Sequence, residues 1–178
     1  MATTPTCSPF TNGLSDASQL EQLRLQVAFL LAKPVFKGTS TVTQIIGTGA
    51  YTGMSLDTDV VDTDVDGIGG HDTAVNPSRY TARYPGWYTP SGGIPWPSNA
   101  TGRRGGRLAV NGTSVTGSGV LINAVSAVGL DFPFDANLVY LNVGDYCELQ
   151  GFQDSGGNLT VPSSAETMVR FTMQWVSN

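Results

Sequence analysis

The chain has 178 residues, enough for one domain with a real core and a short appendage but not for two large domains. Hydrophobic residues make up 40% of it, charged residues only 13%, and glycines number 22; this excludes a disordered chain and points to an all-β protein with many turns. The formal net charge of −5 excludes the basic footprint that nucleic-acid backbones require, and the one compact basic group, Arg103, Arg104 and Arg107, is too small to reverse it.

Taken in chain order, residues 1–15 are polar and turn-rich and read as a flexible or partner-ordered arm. The start, Met1-Ala2-Thr3-Thr4-Pro5-Thr6, lacks the basic and apolar regions of a signal peptide. No stretch approaches the roughly 18 apolar residues of a membrane span, so membrane insertion is not expected. Action outside a cell would then follow release by lysis, as virion parts are released.

Residues 16–33 read as a helix. Ser15 or Asp16 can accept the first free amide hydrogens, and Ser18 with Glu21 has capping-box spacing. Leu20, Leu23, Val27 and Leu30 recur at coiled-coil intervals, with Phe29 and Leu31 widening the stripe, until Pro34 ends the helix. So short a helix is marginal alone in water, and its seam needs a partner. That partner is either the chain's own β domain or symmetry mates, most simply in a three-stranded coil. Residues 1–33 are therefore expected to dock and trimerise, and residues 34–178 to form the head.

The rest reads as β. Arg107-Leu108-Ala109-Val110 stops at Asn111-Gly112, the strongest short hairpin signal in the chain. Leu138 to Val143 leads through Gly144-Asp145 into Tyr146 to Gln150, where Cys147 and Leu149 share a face opposite Glu148 and Gln150. Val169, Phe171, Met173 and Trp175 alternate strictly with polar residues. Short strands with frequent turns indicate a sandwich or jelly roll. Two cysteines, Cys7 and Cys147, are too few for a disulfide framework, and the neighbours of Cys147 predict a buried free thiol.

Catalytic signals are thin. The single histidine, His71, sits in a Gly-rich turn, and no Gly-x-Ser-x-Gly elbow occurs. Six aspartates crowd residues 57–72. Asp62, Asp64 and Asp66 before Gly67 mimic the opening of an EF-hand loop, but position twelve is Thr73 rather than a bidentate Glu. The run reads as acids on the wet face of a strand, or, as the lesser alternative, as a calcium or other cation site at Asp62, Asp64, Asp66 and Asp72.

Asp62-Thr63-Asp64, Gly69-Gly70-His71-Asp72, Ser78-Arg79-Tyr80-Thr81-Ala82, Pro85-Gly86-Trp87-Tyr88 and Asn99-Ala100-Thr101-Gly102-Arg103-Arg104 follow in one order. Leu141 to Leu149 and Phe171 to Trp175 complete it. Together they resemble the globular head of the complement C1q/tumour necrosis factor superfamily in its bacterial and phage-borne form, over residues 35–178. The resemblance implies a ten-stranded TNF-like jelly roll that assembles as a tight homotrimer, with inner-sheet aromatics meeting at the threefold axis. Tyr88 matches the family's aromatic after Pro-Gly and Trp96 an aromatic of the next strand. The expected trimer-interface residues are thus Leu20, Leu23, Val27, Leu30, Tyr88 and Trp96. Two features depart from the pattern. Cys147 replaces an aliphatic, and Pro90, Pro95 and Pro97 interrupt a strand, so Thr89 to Ser98 is expected to be an edge, a bulge or a surface loop.

The reading that follows is a non-enzymatic virion protein of a bacteriophage, at a tail tip, tail fibre or head surface. Residues 1–33 would dock on other virion proteins, and three heads would gain avidity for repeated host cell-surface glycans. Arg outnumbers Lys seven to two, a weak hint of a GC-rich genome. A secreted adhesion or signalling head would favour a signal peptide or a collagen-like run. A glycan-acting enzyme would need two carboxylates about 5–10 Å apart, which the acidic stretch does not specify.

Overall fold

The computed structural model describes residues 17–126, 129–134 and 138–178; the arm, Cys7 and the capping position at Ser15 or Asp16 lie outside the described residues. After α1 (Ala17–Leu31) come β1 (Val35–Thr39), β2 (Gln44–Ile46), β3 (Thr52–Gly53), β4 (Thr58–Thr63), β5 (Arg79–Thr81), β6 (Gly86–Trp96) and β7 (Arg103–Val110). β8 (Thr113–Ser114), β9 (Val120–Asn123), β10 (Leu130–Phe134), β11 (Val139–Leu141), β12 (Tyr146–Gln153), β13 (Leu159–Val161) and β14 (Arg170–Ser177) follow. The first sheet runs β10-β6-β14-β1-β4, with β11 also on β6. The second runs β3-β12-β7-β8, with β5 also on β12 and β9 also on β7, while β13 and β2 form a separate ribbon. Two antiparallel sheets with one inward face each make the expected jelly-roll sandwich.

The core follows from alternation. Phe171, Met173 and Trp175 on β14 are buried, as are Phe36 on β1 and Tyr88, Ile94 and Trp96 on β6. Leu108, Cys147 and Leu149 face them from the second sheet. Phe36 stacks on Tyr80 with centroids 5.4 Å apart and meets Phe171 edge-on at 6.2 Å. Burial pushes the Cys147 thiol up to about 12, which leaves it a small core hydrophobe. Asn111 and Gly112 adopt φ values of 50° and 77° between paired Val110 and Thr113, the two-residue turn the sequence predicts.

The proline-rich stretch does not loop out. β6 is a continuous interior strand, and register explains why. Pro90 and Pro95 are five residues apart, so their nitrogens point to opposite edges. β14 pairs only as far as Gly93, leaving one edge open at Pro95. On the other edge β11 covers residues 86–88 and β10 covers 92–96, leaving a gap at Pro90. Each missing N–H thus faces a place where no ladder bond is required.

α1 is not laid along the sandwich. Its one buried residue is Phe29, whose ring lies 5.1 Å from Tyr84 and 4.9 Å edge-on from Trp175. Lys33 Nζ sits over the same tryptophan at 5.3 Å. Phe29 therefore plugs the end of the head's own core, across the division drawn at residues 33 and 34. Leu20, Leu23, Val27 and Leu30 are exposed.

Candidate functional site

Gly86 opens β6 with φ 145°, and a methyl there would strike Trp175 Nε1 and the Ser177 carbonyl, so only glycine lets the strand begin this close to β14. The next two side chains then diverge. Tyr88 turns inward and is 0% exposed, its hydroxyl donating to the Tyr84 carbonyl at 2.7 Å. Trp87 turns outward and is 40% exposed. It pairs with Tyr140 on β11, the rings meeting edge-on at 5.4 Å, with Leu138, just ahead of β11, and Val176 on β14 also exposed. On β9, Val120, Leu121 and Ile122 are all partly exposed in succession, so neither face of that strand is covered. Such contiguous apolar surface marks contact with another molecule more often than chance exposure does.

This placement corrects the sequence expectation for two residues. Tyr88 and Trp96 are buried within one subunit and have no surface to offer a threefold axis. The outward aromatic is Trp87, together with Tyr140, and neither was singled out from sequence. The signal existed in the register: Trp175 is an inward residue of β14, and its partner across the ladder is Tyr88, not Trp87.

The outer face of the second sheet is different in kind. Tyr146, Glu148, Gln150 and Phe152 share it on β12. Glu148 accepts from Ser78 Oγ at 2.8 Å and Arg79 Nε at 3.1 Å, and Gln150 bridges Glu148 to Arg107. The Arg79 guanidinium lies 4.1 Å from the Tyr146 ring centre, and that of Arg107 lies 3.9 Å from Tyr51. Glu148 and Gln150 are consequently buried rather than wet, because arginines from β5 and β7 cover them. Beside this ladder a cleft of about 480 Å³ opens between Asp72, Asn76, Arg79, Arg83 and Tyr146.

The acidic run supports the walls of that cleft. Asp62 accepts from the amides of Gly70 and His71, and Asp72 from those of Ala74 and Val75. Asp64 binds Arg83 and the amides of Asp66 and Ile68, while Asp66 takes Arg83 at 3.3 Å and the Tyr84 hydroxyl at 2.9 Å. The cation site at Asp62, Asp64, Asp66 and Asp72 is not formed: each carboxylate is held by its own partners. Among the described residues no group of three or more His, Cys, Asp or Glu is placed to hold a metal ion. His71 is enclosed, with Nδ1 2.8 Å from Asp59, Nε2 3.0 Å from the Pro77 carbonyl and its ring stacked on Phe36.

These bonds predict the acid response. A hydrogen bond from Asn111, then those from Asn142, hold the Asp145 carboxyl below its usual range. Amides of Val75 and Ala74 do the same for Asp72, and the Arg103 amide and side chain for Asp154. For Asp57, partial burial opposes ionisation but bonds from Thr41, Thr58 and Val42 outweigh it. A depressed carboxyl contributes stability that is present above the unfolded value of about 3.9 and lost as pH falls through the folded one. Burial raises Asp62, which acts in the opposite sense. The melting temperature is therefore expected to fall steeply below about pH 4. Asp145→Asn should lower it at neutral pH while flattening that fall; an unchanged acid limb in the variant would refute the assignment.

No protein-family profile matches the chain, and no curated protein matches it in sequence. Solved structures do. The globular domain of zebrafish complement 1qA aligns with a TM-score of 0.57 at 15% identity, over 82% of this chain and 100% of that one. Murine APRIL aligns with a TM-score of 0.56 at 13% identity, over 80% and 98%. The PRD1 vertex protein P5 aligns with a TM-score of 0.54 at 17% identity, over 82% and 99%. The chain thus has the C1q/TNF-like jelly-roll fold, which it shares with a phage vertex protein.

Proposed function

We propose that this chain is the homotrimeric head of a bacteriophage structural protein, docked to other virion proteins through its N-terminal segment and presenting a non-enzymatic binding surface outward. The observation that carries the reading is the uncovered apolar face around Trp87 and Tyr140. The uncovered seam of Leu20, Leu23, Val27 and Leu30 extends from the same end of the sandwich, where Phe29 meets Trp175. Copies packed about a threefold axis would cover both, one through sheet contacts and the other through a short coil. The fold shared with a vertex protein supports a virion setting.

In that assembly the outer cleft faces away from the axis. Its rim of Asp72, Asn76, Arg79 and Tyr146 offers both donors and acceptors, which suits hydroxyl-rich glycans of a host surface. Three such clefts on a rigid trimer would bind repeated sugars with avidity that one cleft lacks.

Deletion of residues 1–27, which spares the Phe29 plug, tests the docking role. The shortened chain should remain folded and trimeric by light scattering but be missing from purified particles. Unchanged incorporation would remove the docking role, and a monomeric full-length chain would remove the assembly.

A further inference from the structure

Two asparagines precede a glycine, Asn12 and Asn111. Asn12 lies outside the described residues. The described Asn76, Asn99, Asn123, Asn142 and Asn158 precede Pro, Ala, Ala, Val and Leu. The following residue matters because its backbone nitrogen can attack the asparagine carboxamide, and glycine alone leaves that approach free of a side chain. Proline has no N–H to lose.

The turn between β7 and β8 keeps this route open. Asn111 and Gly112 are both exposed, and a methyl built on Gly112 would meet nothing nearer than the Tyr146 hydroxyl at 3.6 Å. The Gly112 amide donates to no backbone carbonyl among the described residues. Asn111 Oδ1 accepts from the Tyr146 amide at 3.0 Å, a donor at the oxygen where negative charge gathers when Cγ is attacked. Its Nδ2 donates to Asp145 Oδ1 at 2.8 Å, while Asp145 Oδ2 accepts from the Asn142 amide at 2.8 Å. Asn111 thus ties its own turn to the one at residues 142–145, and Gly144 and Tyr146 line the cleft.

We infer that Asn111 is a site of spontaneous deamidation, and that its conversion uncouples these two turns. The Gly112 nitrogen loses its proton and bonds to Cγ of Asn111. The Cγ–Nδ2 bond breaks, and Nδ2 leaves as ammonia with the proton that the Gly112 nitrogen gave up. Water then opens the cyclic imide. Opening at Cγ leaves aspartate, and opening at the main-chain carbonyl leaves isoaspartate. In either product a carboxylate replaces the donor to Asp145, so a hydrogen bond becomes a repulsion between like charges. Isoaspartate also lengthens the main chain inside a two-residue turn, whose length sets the register of β7 on β8.

The full chain, held in mildly alkaline buffer and then digested, should show a gain of about one mass unit in the peptide carrying Asn111. In mildly acidic buffer the gain should slow by about tenfold or more, because the attacking nitrogen must first be deprotonated. A native chain whose Asn111 peptide stays unchanged while a denatured sample converts would overturn the site. So would conversion spread equally over Asn99, Asn142 and Asn158. Asn111→Asp supplies one product directly, and Asn111→Gly loses the same bonds without adding charge. At neutral pH Asn111→Asp should melt about 3 °C below Asn111→Gly. The gap should close as pH falls through the carboxylate range, since protonating one acid of the pair removes the repulsion and restores a donor. A gap absent at neutral pH, or one unchanged in acid, would remove the uncoupling. Should either variant fail to fold, the mass gain in the wild-type chain decides the site, and the melting temperature of the aged chain against fresh chain decides the uncoupling.

Discussion

Replacing Trp87 by Glu is expected to convert a species of about three times the 18.7 kDa chain mass into a single chain. Trp87 is exposed on the subunit and rests on Tyr140 rather than on the core, so the substitution leaves the sandwich intact. In an assembly its ring would be covered, and a carboxylate there would have to be desolvated without a partner, repeated in each copy. Central aromatics of this kind typically contribute about 2–4 kcal/mol when truncated, and a buried charge adds to that loss. Light scattering reads the mass directly, and circular dichroism checks that the β spectrum persists. A Trp87→Glu chain that stays trimeric would move the assembly surface elsewhere.

Tyr88→Ala should behave in the opposite way. Its side chain is enclosed by one subunit and donates to the Tyr84 carbonyl, so truncation leaves a cavity and an orphaned carbonyl inside the fold. A loss of about 3–5 kcal/mol is expected, equivalent to a drop of about 6–20 °C in melting temperature for a domain of this size. Measuring it in the Trp87→Glu background removes any contribution from association. If Tyr88 lay on a threefold axis, its truncation would cost nothing once the chain is monomeric, and that outcome would reverse the assignment.

Adjacent residues with opposite fates show where sequence reasoning reaches its limit. The last strand was legible because Val169, Phe171, Met173 and Trp175 alternate without interruption. β6 was not, because Pro90, Gly92, Gly93 and Pro95 blur the inward pattern, and only the ladder to β14 fixes its phase. The hairpin at Asn111-Gly112 was legible because its chemistry is local. Burial of Glu148 and Gln150 was not, since it depends on Ser78, Arg79 and Arg107, which arrive from distant parts of the chain. The cation-site alternative for the acidic run failed for the same reason: Arg83 and the amides that occupy its carboxylates are set by the fold. The helix itself was readable from its spacing and from Pro34. Phe29 looked like one more residue of the stripe, because nothing local distinguishes a plug from a seam.

The link between α1 and β1 has a mechanical consequence. Leu31 is followed within four residues by Val35, and β1 is hydrogen-bonded along both edges, to β14 and to β4. A pull on α1 therefore does not peel a strand from the rim of the sheet. It draws β1 lengthwise between two ladders, loading many bonds at once, while the Phe29 ring must leave its seat between Tyr84 and Trp175 before the strand can slide. A domain built this way resists force applied through α1, because rupture requires simultaneous rather than sequential failure.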